Sequence, residues 1–229
     1  MSEESHEGVP RHIQNHWGVP DEVPEGPWRR KRELAEVARD LVEAIVRSEA
    51  PVEVLGQVAE ALARERDRLR SHKSKSLADI VRDGDVLDNP SYYADRSPVM
   101  GCSNPLAPPL RFRLADGQVR GDVIFSDAYE GPPGMVHGGH VSAVFDHALG
   151  FTWMEEGLIC MTGRLTTSFR EPTPVGTPLR IEAWRTGYRG KQPTAAARLV
   201  IVDGDVVTAE ARGIMVPLDT ERVLRLIME

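Results

Sequence analysis

The chain is short of the features that mark several whole classes of protein. Its 229 residues include only two cysteines, Cys102 and Cys160. That is too few for a disulfide framework and suits a reducing cytosol. No apolar run approaches the ~20 residues a membrane span needs, and the acidic N-terminus lacks a signal-peptide pattern. Excess positive charge is also missing: the net charge of −7 disfavours broad nucleic-acid or anionic-membrane binding. Strand–helix–strand alternation is absent, which argues against a parallel sheet. No metal centre is indicated either. His6, His12 and His16 join no cysteine or acidic ligand pattern, and His137, His140, Asp146 and His147 form no direct HxxH pair with a third ligand. The resulting expectation is a cytoplasmic protein with no membrane span, no nucleic-acid partner and no metal.

What is present divides by pattern. Residues 1–27 are polar, rich in Pro, Gly and His, and are expected to form a flexible arm. Residues 28–80 carry two helical repeats, Leu34, Val37, Ala38, Leu41, Ile45 and then Val54, Leu55, Val58, Leu62, with Pro51 ending one helix and opening the next. This predicts a helical hairpin extension whose arginine-rich end (Arg64, Arg66, Arg68, Arg70) is a solvated face complementing the helix dipole. Residues 81–109 read as linker and loops, with Tyr92 and Tyr93 as anchors onto the following domain and Cys102 as an inert thiol.

From Leu110 the period becomes two. Leu110, Phe112 and Leu114 alternate with arginines, Asp116-Gly117 marks a hairpin turn, and Val119, Gly121, Val123 and Phe125 follow. One helix comes next, then four strand-like segments at Ile159–Arg170, Leu179–Tyr188, Thr194–Val202 and Val206–Val216. The expectation for residues 110–217 is an α+β domain, one antiparallel sheet wrapped around one central helix, with an amphipathic tail at 218–229.

The helix is introduced by GPPGMVHGGHVSAVFDHALG, Gly131 to Gly150. Val141, Val144, Phe145, Ala148 and Leu149 fall on one helical face. The glycine pair then marks a helix N-terminus, where free N–H groups and the helix dipole favour negative charge. Asp146 lies two turns further on. A donor suited to an oxyanion and a carboxylate able to handle a proton thus share one short apolar helix.

The element order and the HGG-x6-D spacing from His137 to Asp146, with Met161-Thr162-Gly163-Arg164-Leu165 leading into SFREP, resemble the hotdog-fold acyl-CoA thioesterases. The branch is the PaaI-like, 4-hydroxybenzoyl-CoA thioesterase type, and the likeness covers roughly residues 105–217. It implies a hotdog fold and an oxyanion donor at the Gly138 N–H. It also implies Asp146 as nucleophile or general base, a Thr162 hydroxyl that orients water or acid, and His137 shaping the loop. Some relatives carry Asn six residues before the histidine, where this chain has Gly131.

Gly138 and Asp146 are eight residues apart, about 12 Å along a helix rising 1.5 Å per residue, too far to act on one carbonyl group. The expectation is therefore a homodimer, with a tetramer as the alternative, in which antiparallel helices complete two composite sites. Gly139, Val141, Phe145, Arg164 and Arg170 are candidate substrate contacts, with Phe151 and Trp153 or Met154 further along an acyl tunnel and Arg189 and Lys191 as further cations. The predicted reaction is hydrolysis of a medium- or long-chain or aryl acyl-CoA to acid and CoA, with no cofactor beyond the CoA of the substrate. A non-catalytic acyl-CoA sensor or scaffold is the alternative. A hotdog hydratase is disfavoured, because no D-x4-H element is present and adjacent helix positions such as Asp146 and His147 diverge.

Overall fold

The alternating stretch beyond Leu110 forms a six-stranded antiparallel sheet in the computed structural model, which describes residues 20, 22, 23, 25–83, 90–108, 110–115 and 117–219. The strands are β1 Arg111–Ala115, β2 Gln118–Val123, β3 Cys160–Phe169, β4 Leu179–Arg189, β5 Gln192–Ile201 and β6 Val206–Pro217, in spatial order β1-β2-β4-β5-β6-β3. Pairing of Ala115 with Gln118 leaves a two-residue turn. Gly117 occupies it at φ 69°, a conformation that glycine adopts without a Cβ penalty; Asp116 lies outside the described residues. β2 shows the period most clearly, with Val119, Gly121 and Val123 buried and Gln118, Arg120 and Asp122 exposed.

The buried face of the sheet alternates large residues (Leu179, Ile181, Leu199, Met215) with a run of small ones: Ala183 on β4, Ala195 and Ala197 on β5, and Ala209, Ala211 and Gly213 on β6, all buried. This leaves room for one helix, and Gly138–Phe151 fills it, running against β3, β4, β5 and β6. Its five predicted core residues, Val141, Val144, Phe145, Ala148 and Leu149, are the five it buries. Each larger one contributes about 1.5–3 kcal/mol on leaving water. A Cβ at Gly213 would lie 2.9 Å from Leu149 Cδ1, so glycine at that position sets how closely helix and sheet approach. The architecture is the hotdog arrangement expected from the sequence.

Among the described residues the N-terminal region holds four helices: α1 Pro27–Arg47, α2 Val52–Arg70, α3 Leu77–Arg82 and α4 Pro90–Ala94; the central helix is α5. Pro27 at the start of α1 and Pro51 capping α2 place proline where no N–H is needed. The two helices follow one another as a helix–loop–helix. α2 buries no residue, and its stripe, including Leu55 at 46% exposure, meets no other element closely among the described residues. Helical periodicity states which side chains could be buried together, not what buries them.

The segment expected to be linker is more ordered than predicted, since it contains α4 and a tight loop around Asp95. Tyr92 packs edge-on against Trp28 of α1 at 5.3 Å, so it anchors the extension; the Tyr93 side chain lies outside the described residues. Most of the predicted arm and residues 220–229 of the predicted tail also lie outside them. Of the arm's end, Val23 is buried and accepts a hydrogen bond from Arg29. Leu218 donates its N–H to Ile159 O at 2.8 Å. No described helix is long and apolar enough to cross a membrane.

Candidate active site

The start of α5 is organised by His137. It sits in extended conformation (φ −61°, ψ 128°) as the N-cap, and its Nδ1 accepts the Gly139 N–H at 3.0 Å. An accepting Nδ1 places the ring proton on Nε2. One of the two motif glycines therefore spends its N–H on the histidine. The Gly138 N–H has no acceptor among the described residues, as expected of the first turn of a helix. Gly138 lines a cleft of about 380 Å³ with Pro132, Met135, Val141, Phe169 and Arg170. The Phe169 ring lies over it: a Cβ on Gly138 would be 2.9 Å from Cζ.

Gly131 stands where some relatives have asparagine. A Cβ there would come within 2.9 Å of His137 Cα and 3.1 Å of its Cβ, so the loop as built leaves no room for a side chain.

Asp146 lines a different and larger cleft, of about 600 Å³, with His147, Gly150, Phe151, Met154, Ile159, Cys160, Met161 and Thr162. Asp146 and Thr162 are thus brought together, whereas Gly138 is not. Thr162 is half-buried beside a β-bulge: pairing to β6 shifts between Thr162 and Arg164. Gly163 is the extra residue, a device that re-aims neighbouring side chains. The Asp146 carboxylate is exposed on the single chain. Its helix neighbours Val144 and Phe145 turn into the core while Asp146 faces the cleft.

His147, next in sequence, is enclosed between Phe112 (6.1 Å, stacked) and Phe151 (5.3 Å). Burial pushes its pKa down to about 4 against the opposing pull of Asp146, so the ring is neutral near pH 7. Burial also pushes the Cys160 thiol up to about 11, which leaves it a poor nucleophile at neutral pH. His140 sits edge-on to Tyr129 at 5.0 Å. Its pKa is lowered by burial and then by His137.

The predicted substrate contacts separate. Val141 and Arg170 share the Gly138 cleft, Arg170 already paired with Glu210 at 2.8 Å. Phe145 is almost fully buried in the core and Arg164 is exposed; neither lines a described cleft. Gly139 is committed to its bond with His137. Phe151 and Met154 line the Asp146 cleft, while Trp153 is buried against Tyr188 at 5.0 Å. Arg189 and Lys191 lie at the β4–β5 turn, outside both clefts.

One contact escaped the sequence reading. Ser142 Oγ lies 3.2 Å from Thr167 Oγ1, tying α5 to β3. Ser142 stands four residues after Gly138 and four before Asp146, a helical spacing that was available as a signal.

This geometry agrees with what the chain is similar to. The family model described as "Thioesterase superfamily" matches residues 133–208. Acyl-coenzyme A thioesterase THEM4 of Mus musculus is 25% identical over 95 residues, 42% of this chain and 41% of that protein. The Bos taurus protein of the same name is 29% identical over 93 residues, 41% of this chain and 38% of that one. The matched stretch spans about two-fifths of the length of these curated relatives. A crystal structure described as a thioesterase superfamily protein superposes with a TM-score of 0.72 at 29% identity, covering 87% of this chain and 99% of that one. Its likeness therefore extends through much of the N-terminal region. The motif, the sheet order and these matches agree: residues 133–208 match the thioesterase superfamily model and lie within a domain of hotdog architecture.

Proposed function

We propose that this chain is an acyl-CoA thioesterase whose active sites form between two copies, hydrolysing a medium- or long-chain or aryl acyl-CoA to the free acid and CoA. The observation that carries the reading is the Gly138 N–H, without an acceptor among the described residues, and the exposed Asp146 on one helix but in separate clefts. Each cleft holds half of what thioester hydrolysis needs. β3 supplies a reason for two copies to meet: it is a ten-residue strand at the sheet edge, with Met161 and Phe169 exposed at 56% and 55%. An unpaired edge of that length is a template for another chain.

In the composite site, the thioester carbonyl oxygen accepts the Gly138 N–H of one copy, where the helix dipole steadies the developing charge. Asp146 of the other copy takes a proton from a water that the Thr162 hydroxyl orients. The water oxygen bonds to the carbonyl carbon, the C–S bond breaks, and the thiolate of CoA leaves with the proton that Asp146 returns. The room beside Asp146 favours a bound water, and so the general-base role over direct attack by the carboxylate. The reaction requires no cofactor beyond the substrate's own CoA. Arg170 beside Gly138 provides positive charge for the CoA phosphates. The partner copy and the substrate together supply the burial that this chain does not give Asp146.

A free-CoA release assay tests the proposal. Wild type should cleave acyl-CoA and Asp146→Asn should lose about 10²–10⁴ in kcat, the usual worth of a general base. Wild type that binds acyl-CoA but releases no CoA would instead identify a non-catalytic acyl-CoA-binding protein.

A further inference from the structure

Four residues of the Asp146 cleft come from outside the hotdog domain: Ala94, Arg96, Ser97 and Pro98. They form a loop at the end of α4, and Asp95 holds that loop in place. The Asp95 side chain is fully buried. It accepts hydrogen bonds from Trp28 Nε1 at 2.6 Å and from Arg32 Nε and Nη2 at 3.0 Å each. The Cys102 N–H at 3.1 Å and the Ser103 hydroxyl complete the set. Two of these partners, Trp28 and Arg32, belong to α1. The loop closes on itself through Gly101 N–H to Ser97 O and Ser103 N–H to Asp95 O, both 3.0 Å. A Cβ at Gly101 would lie 2.3 Å from Asp95 O, so the close approach requires glycine. A buried carboxylate with this many donors makes a rigid wall.

The cleft facing that wall is lined chiefly by carbon, from Phe151, Met154, Ile159 and Met161. Its about 600 Å³ falls within the ordinary range for small-molecule sites. The lining suits an acyl tail better than CoA phosphates, which would face the Asp146 carboxylate. Arg96, the one cation among the described residues of the cleft, donates a hydrogen bond to Lys75 O at 3.1 Å.

We propose that the N-terminal extension sets the acyl-chain length this site accepts. The 94–98 loop, locked to α1 through Asp95, Arg32 and Trp28, forms the end wall of the acyl cleft, and the tail of the substrate stops against Ser97 and Pro98. Arg32 and Trp28 then act as positioning residues: they touch no substrate, yet they fix the wall that does. This inference rests on the acyl-CoA thioesterase reading.

The experiment compares kcat/KM for acetyl-, hexanoyl-, decanoyl- and palmitoyl-CoA in wild type, Ser97→Trp and Pro98→Trp. Ser97 is half-buried and Pro98 exposed, so a large side chain at either position intrudes on the cleft without entering the core. Both variants should lose roughly tenfold or more on the longest chain that wild type uses, the scale of one or two misfitted methylenes, while acetyl-CoA turnover changes little. Arg32→Ala, which loosens the wall, should flatten the profile toward longer chains. Tryptophan variants that keep the wild-type profile, or lose equally at every length, overturn this inference alone. A wild type that cleaves no acyl-CoA of any length overturns the enzymatic reading and this inference with it.

Discussion

Gly138 contributes a backbone group, and so it can be tested by a change that removes only that group. Proline is tolerated at the first position of a helix, and the residue before it must be extended. His137 already is, at φ −61° and ψ 128°. Gly138→Pro should therefore keep α5 while deleting the N–H, at the cost of a small shift of the Phe169 ring. Loss of one oxyanion donor predicts a fall of about 10²–10³ in kcat, with the circular dichroism spectrum unchanged. A full-activity proline variant would remove Gly138 from the mechanism. His147 permits a second residue-scale prediction, in stability and not in rate. Its folded pKa of about 4 lies below the unfolded value of about 6.5. As pH falls from 6.5 to 4 the unfolded chain takes up the proton first, so stability is lost through that window, by about 2–3 kcal/mol at pH 4.5. His147→Phe, seated between Phe112 and Phe151, should lose that much less between pH 7 and pH 4.5 in urea melts; parallel losses would contradict it. The placement of Gly138 at the head of α5, Asp146 two turns along it and Thr162 on β3 was legible because a glycine pair, a helical period and a strand follow one another in the sequence. Ser142 and Thr167 were not singled out, since their meeting depends on the register of α5 against β3. Nor was Asp95, whose α1 partners lie 63 and 67 residues away.

Among the elements, the central helix and the sheet were legible to within a few residues, since each buries one face and its period states which. The extension was legible only as two amphipathic helices. Period alone does not report that α1 docks through a buried ion pair while α2 buries nothing. The docking itself is testable. Arg32 and Asp95 have side-chain exposures of 12% and 0%, and removing one member of such a pair strands the other charge. Asp95→Ala should cost about 3–5 kcal/mol. If α1 and the hotdog domain unfold together, the loss appears as one lowered transition. If the clamp serves the extension alone, limited proteolysis should cut within α1 while the sheet domain survives. An unchanged melting curve with α1 still protected would show that the clamp does not hold the helix. The cap at the head of α5 predicts a smaller effect at the same scale. His137→Ala removes the acceptor of the Gly139 N–H and should cost about 1 kcal/mol, measurable as a shift in the urea midpoint with an unchanged slope.

At the scale of the whole molecule, the separation of Gly138 from Asp146 becomes a statement about assembly. One copy places Gly138 in the cleft of Val141 and Arg170 and Asp146 in the cleft of Thr162 and Phe151. About 12 Å of helix between them prevents a single chain from holding both against one carbonyl group. In the proposed dimer, a two-fold axis relating two antiparallel α5 helices would pair the Gly138 N–H of each copy with the Asp146 carboxylate of the other, because an isologous interface repeats every contact twice. Mixing two inactive variants tests this arrangement. Gly138→Pro has lost every donor and Asp146→Asn every base, so either variant alone has no complete site. Unfolded together and refolded at equal concentration, they form mixed dimers. In a shared-site enzyme each mixed dimer carries one doubly damaged site and one with the Gly138 N–H from one chain and Asp146 from the other. About half of the dimers are mixed and half of their sites are intact, so activity should return to roughly a quarter of wild type. If each chain completed its own site, every chain in the mixture would remain defective and no activity would return. Dilution supplies the complementary measurement: specific activity should fall as wild-type dimers dissociate, and fully active monomers would exclude the composite site.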